Sequence, residues 1–144
     1  MALMLQEIID RLIASAPILT AVLPAEDIDA LTQGVAPRSG TAFVLPYRKR
    51  GSPNGLATGG FRQLVAVQFL TAFVVRKHDD PAGGKKVALF DEYEDAIERT
   101  LAGWQPPSCE DPIEFVASQP APLRNGVTLY VQTWETSRFL EGIS

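Results

Sequence analysis

Residues 61–77 read FRQLVAVQFLTAFVVRK, and the reading of this stretch decides the fold. Aromatic and β-branched residues dominate it, which is the chemistry of a strand on a pleated surface. In an extended chain Phe61, Val65, Val67, Phe69, Phe73 and Val75 share one face. Leu64, Ala66, Leu70, Ala72 and Val74 share the other with Arg62, Gln68 and Arg76. At ~3.3 Å per residue such a strand reaches ~55 Å, longer than one small sheet usually needs. Part of it should therefore project from the sheet or be covered twice. Apolar groups on both faces imply helices on one side and another covering on the other, with a neighbouring subunit as a candidate.

The segment just before it, residues 46–60, reads PYRKRGSPNGLATGG. Three consecutive cations followed by glycine, proline, serine and asparagine suggest a loop that cradles phosphate. The suggestion fails at the next element. A P-loop places Gly-Lys-Ser/Thr at the start of a helix, whereas Gly55, Gly59 and Gly60 lead into a strand. The same objection removes a dinucleotide fingerprint. The segment reads instead as the tip of a long, flexible hairpin arm over about 48–60.

Upstream, Leu3, Leu5, Ile8, Ile9, Leu12 and Ile13 recur at three- and four-residue spacing, an amphipathic helix that ends before Pro17. PAEDIDALTQG, residues 24–34, has acids in a first turn after Pro24 and a closing glycine, which predicts a short second helix. GTAFVLPYRKR, residues 40–50, alternates Phe43, Leu45 and Tyr47 as a strand, with Pro46 marking an edge or a bulge. Downstream, HDDPAGGKK reads as a turn, and Val87, Leu89, Phe90, Tyr93, Ile97 and Leu101 mark a second amphipathic helix ending at Gly103. IEFVAS, residues 113–118, is a short strand. NGVTLYVQTWETSRF is a last strand after an Asn125-Gly126 turn, with Val127, Leu129 and Val131 inward and Tyr130, Gln132, Trp134 and Arg138 on the reverse. Adjacent strands with helices between them, without regular βαβ alternation, predict an α+β domain: a mostly antiparallel sheet of about four strands flanked by two main helices.

With 144 residues the chain fits one domain, expected over 1–144. No apolar run approaches the ~20 residues of a membrane-spanning helix. The N-terminal stretch carries Glu7 and Asp10 inside its apolar pattern and lacks a basic leader, so a signal peptide is not expected and synthesis in the cytoplasm is. The single cysteine, Cys109, has no disulfide or CxxC partner and reads as a small packed side chain.

The net charge of −4 is unevenly spread. Residues 1–40 hold two basic and five acidic groups, 41–86 hold eight and two, and 87–144 hold three and ten, giving −3, +6 and −7. Such segregation arises on ordinary solvated surfaces. It also suits a protein whose cationic and anionic elements associate head to tail with copies of itself and close into a ring.

Nothing points to catalysis. The one histidine, His78, sits in the polar turn RKHDDPAGG beside Asp79 and Asp80, with no second histidine to complete a metal site. No GxSxG elbow occurs. The acids Asp91, Glu92, Glu94, Asp95 and Glu98 occupy the outer side of the second helix and read as a solvated face. No enzyme activity, cofactor or metal is expected.

The stretches LPYRKRGSPN, TGGFRQLVAVQFLTAFVVRKHDDPAGGKK and NGVTLYVQTWETSRF, in this order after an N-terminal amphipathic helix, resemble the tail terminator (tail completion) proteins of long-tailed bacteriophages and Mu-like prophages. The resemblance extends over about residues 3–140 and rests on layout and local similarity. It implies an α+β virion protein that assembles as a ring, expected to be a hexamer, on the head-proximal end of the tail tube. There it would stop polymerisation and offer the docking surface for the head connector. Partners implied are other copies of the chain, the tube protein and the connector or stopper, with DNA passing through the lumen without specific recognition.

Within that expectation, charge assigns partner contacts to Arg48, Lys49, Arg50 and Arg62, with Tyr47 beside them. Gly55, Gly59 and Gly60 would let the arm order on contact. Protein contact is favoured over DNA contact, because a strongly attractive lumen would retain the genome through counterion release. Two other readings stay open: a head completion or stopper protein of the neck, and an unrelated α+β binding module that dimerises through its two-faced strand.

Overall fold

The computed structural model describes residues 2–26, 37–56, 59–76, 84–122 and 127–141. The elements run α1 (Ala2–Ser15), β1 (Ala21–Pro24), β2 (Thr41–Gly51), β3 (Arg62–Arg76), α2 (Gly84–Leu101), β4 (Glu114–Pro122) and β5 (Val127–Glu141). The strands form one sheet of order β1-β2-β3-β5-β4. Only β1 and β2 are parallel; the other pairs are antiparallel. The class is α+β. No helix among the described residues is long and apolar enough to cross a membrane.

The sheet is built on β3. It pairs along its whole length with β5, from Arg62↔Glu141 to Arg76↔Val127, and on its other side with β2 from Ala42↔Phe73 to Gly51↔Val65. Fifteen residues of strand amount to about 50 Å at ~3.3 Å each, so the expected overlong strand exists. Its far half is flanked by the far halves of β2 and β5 alone. The sheet therefore ends in a three-stranded extension.

Two buried clusters lie on opposite faces. On one, Val65, Val67, Phe69, Phe73 and Val75 meet Ile8 and Leu12 of α1, Tyr93, Ile97 and Leu101 of α2, and Trp134. On the other, Leu70, Ala72 and Val74 pack with Phe43, Leu45, Val127, Leu129 and Val131, with Ala25 and Ala121 against them. Leu45, Ala72, Val74 and Leu129 are fully buried there. This part of the second face is thus covered, as the alternation of β3 implies, and the cover does not need the neighbouring subunit that was one candidate for it.

Four sequence expectations need correction. Among the described residues the sheet has five strands rather than about four, because Val22 and Leu23 place β1 beside β2 with Val22↔Ala42 and Leu23↔Phe43 in register. Pro24 closes that strand instead of opening a helix, and Ala25 N continues the pairing by donating to Val44 O at 3.1 Å. The rest of the expected short helix, 27–34, lies outside the described residues, as do His78 and the Asn125-Gly126 turn. On β5, Trp134 and Tyr130 face the helices: β3's odd positions pair with β5's even ones, as in Phe69↔Trp134 and Phe73↔Tyr130. On α1, Met4 is buried while Leu3 and Ile13 are exposed. At ~100° per residue a face centred on residues 4, 8 and 12 leaves both of these pointing away.

Gly40 marks the entry to β2. Its φ is +86°, and a Cβ there would lie 2.7 Å from Thr20 Oγ1 and 3.0 Å from Tyr93 Oη. Cys109 is buried, and burial pushes its thiol pKa up, in keeping with a packed side chain.

Candidate assembly surface

The predicted contact residues gather on the sheet extension, though in a different setting from the one expected. Arg48, Lys49 and Arg50 lie in β2, opposite Gln68, Val67 and Ala66, so strand pairing and not the glycine-rich loop holds them. The register shifts between Pro46 and Arg48. Tyr47 is the extra residue at this bulge, and it is exposed beside the Arg48 guanidinium, 5.3 Å from its ring centroid. Proline has no amide hydrogen for the ladder, which is why the irregularity falls beside Pro46.

On the face away from the helices, Arg48 Nε donates to Gln68 Oε1 at 2.7 Å and Gln68 Nε2 donates to Glu135 Oε1 at 3.0 Å. Arg50 completes a cavity of about 160 Å³ with Arg48, Ala66, Gln68 and Glu135. The relay fixes Arg48, and Lys49 and Arg50 stand exposed beyond it.

Arg62 is separate from this group. Its guanidinium sits 3.8 Å from the Phe139 ring centroid, and its Nε lies 3.5 Å from Glu141 Oε1, the cross-strand partner. Its charge is balanced within the chain. At the tip, Gly59 and Gly60 have φ of +56° and +76°, a region glycine enters without a Cβ penalty. Gly55 N donates to Arg62 O at 3.0 Å, closing the loop base.

The sequence reading missed Asn54 and the apolar tip. Asn54 Oδ1 accepts from Leu56 N at 3.2 Å and from Arg62 N at 2.9 Å, stapling the two sides of the loop. The first of these is the two-residue Asx contact that asparagine in a turn commonly makes, so the signal was present. Leu56, Phe61, Leu64 and Leu140 remain exposed around it.

Among the described residues both margins of the sheet are open. Beside β2, β1 covers only residues 41–44, and from 45 to 51 no described strand lies alongside. At the other margin β4 pairs only with β5, and Phe115 and Val116 are exposed. Glu110, Asp111 and Glu114 cluster at the start of that strand, where Thr136 Oγ1 donates to Asp111 O at 2.6 Å and Ser137 Oγ donates to Asp111 Oδ2. Among the described residues, no group of three or more His, Cys, Asp and Glu side chains could hold a metal ion.

Fold and surface together define an α+β module with two open sheet margins of unlike charge and a projecting end. The chain belongs to the phage tail terminator protein family, which matches residues 1–143. It is thereby a structural protein of the phage tail. Among solved structures it is similar to a chain of a "Virion of native gene transfer agent (GTA) particle", with 14% identity, a TM-score of 0.59, and coverage of 96% of this chain and 94% of that one. At that identity the likeness shows a shared fold. No curated protein sequence matches it.

Proposed function

We propose that the protein caps the head-proximal end of the tail tube as a ring, stops tube polymerisation and provides the surface on which the head connector docks. The observation that carries this reading is the family match over residues 1–143. The likeness of fold to a chain of a gene transfer agent virion supports a place in a particle of this kind. The sheet extension suggests the means: Lys49 and Arg50 project from a margin with no described strand beside it, suited to acidic groups on the next copy or on the last tube ring. Tyr47, Arg62 and the tip with Gly55, Gly59 and Gly60 would add contact area, Arg62 from beside Glu141 of its own chain. The lumen would pass DNA without reading it.

Immunogold labelling of intact particles tests the location. Label confined to the junction of tail and head is the expected result, and label along the tube or at the distal tip contradicts the reading.

A further inference from the structure

One row of residues crosses the sheet at the base of the extension. The registers Arg48↔Gln68, Gln68↔Glu135 and Glu135↔Glu114 place four polar side chains side by side on β2, β3, β5 and β4. Three of them are joined by hydrogen bonds, from Arg48 through Gln68 to Glu135. The fourth ends the row badly. Glu114 sits directly across from Glu135, and like charges in a cross-strand pair repel. Both line an open depression of about 330 Å³ together with Asp111. No cation among the described residues pairs with Glu114. The row therefore starts with a cation at one open margin and ends with an uncompensated carboxylate at the other.

We propose that the open part of β2, residues 45–51, of one copy adds to the β4 margin of the next, so that the cations of β2 meet Glu114 and the row continues from copy to copy. This deepens the ring reading and rests on it. The strand senses agree. β2, β3, β5 and β4 alternate in direction, so β2 and β4 of one copy run oppositely, and a second copy continuing the sheet in the same sense presents β4 antiparallel to β2. The levels set the displacement. Leu45 lies in the row of Leu70, Thr133 and Ala117, and Arg48 in that of Glu114, but Val44, Phe43 and Ala42, level with Ser118, Gln119 and Pro120, already pair with β1. The next copy's β4 must therefore slide toward Gly51, which brings its Glu114 level with Lys49 or Arg50, and closing a sheet into a ring staggers its strands in this way. An exposed strand margin is a ready template for another chain, and this one carries its own complement at the opposite side of the molecule. The contact is heterologous, the type that closes into a ring.

The test uses tails purified from particles carrying Cys109→Ser. In that background Glu114→Cys is combined in turn with Tyr47→Cys, Arg48→Cys, Lys49→Cys and Arg50→Cys. Under mild oxidation at least one combination should convert most of the protein into disulfide-linked multimers on non-reducing gels, while single-cysteine variants yield at least tenfold less. Rings seen at the tail ends without a linked product in any combination would overturn the margin pairing and leave the capping function standing. Tails on which the unaltered protein forms no ring would overturn both.

Discussion

Arg48 donates from Nε to Gln68 Oε1 at 2.7 Å, and this contact ties the bulged part of β2 to β3 on the face away from the helices. Gln68 is nearly buried and passes the interaction on to Glu135. Arg48→Met should therefore strand the Gln68 carbonyl and lower stability by about 1–3 kcal/mol. Urea unfolding followed by circular dichroism measures this, and an unchanged midpoint would contradict the assignment.

A second polar chain lies deeper. Trp134 Nε1 donates to Thr71 Oγ1 at 2.9 Å, and Thr71 Oγ1 donates to Gln132 Oε1 at 2.9 Å, all among residues with at most 1% exposure. Thr71→Val keeps the volume but leaves two buried groups without a partner. The expected loss is about 2–6 kcal/mol, at 1–3 kcal/mol for each group. Thr71→Ser retains the hydroxyl and should stay within about 1.5 kcal/mol of the parent, which separates the hydrogen bonds from packing.

The features legible in the sequence are those whose signals are local. The length of β3 and the positions of α1 and α2 came from alternation and helical spacing, and the bulge came from Pro46, which alters the ladder wherever it stands. Which side of β5 faces the helices was not legible. Val127, Leu129 and Val131 are as apolar as a core demands, and both faces of this sheet are buried. Only the cross-strand register, a tertiary fact, assigns Trp134 to the helix side. β1 was missed because it has four residues and exists by pairing with β2. The cations of the site were visible as charge. That Arg62 is balanced by Glu141 was not, because its partner lies 79 positions away in the sequence (141 − 62 = 79).

The two kinds of glycine should respond differently. At Gly59 the φ of +56° is disfavoured for alanine but no atom lies within 4 Å of an added Cβ, so Gly59→Ala should cost about 1–2 kcal/mol. Gly40→Ala adds the collision with Thr20 Oγ1 at 2.7 Å to a φ of +86° and should cost more. Thermal denaturation of the two variants gives the order directly, and equal shifts would be evidence against the close approach at Gly40.

Glu94 carries a pH dependence. Burial, followed by the neighbouring Glu98, raises its pKa above the ordinary value of 4.5. The folded state then holds its proton to higher pH than the unfolded state does. Stability accordingly falls as pH rises from about 4.5 through the raised value, and Glu94→Gln should remove that decline. Melting temperatures of parent and variant between pH 4 and pH 7 should converge at the acid end, with the variant the more stable at pH 7. A parent that loses ground toward acid relative to the variant would reverse the sign and refute the assignment.

Assembly should depend on the β2 cations out of proportion to their effect on folding. The combined reversal Arg48→Glu, Lys49→Glu and Arg50→Glu is expected to reduce infectious particles at least tenfold while the purified protein still unfolds cooperatively. Reversal of Arg62 should instead weaken the extension, because it opposes Glu141 in the same chain. Normal infectivity of the triple variant would remove these residues from the assembly surface.

The capping function itself is tested most directly by deleting the gene and measuring tail lengths in the lysate by negative-stain electron microscopy. The account predicts overlong tails of variable length, detached from filled heads. Tails of normal length beside unjoined heads would contradict it and move the protein to the neck, and normal particles would remove it from assembly.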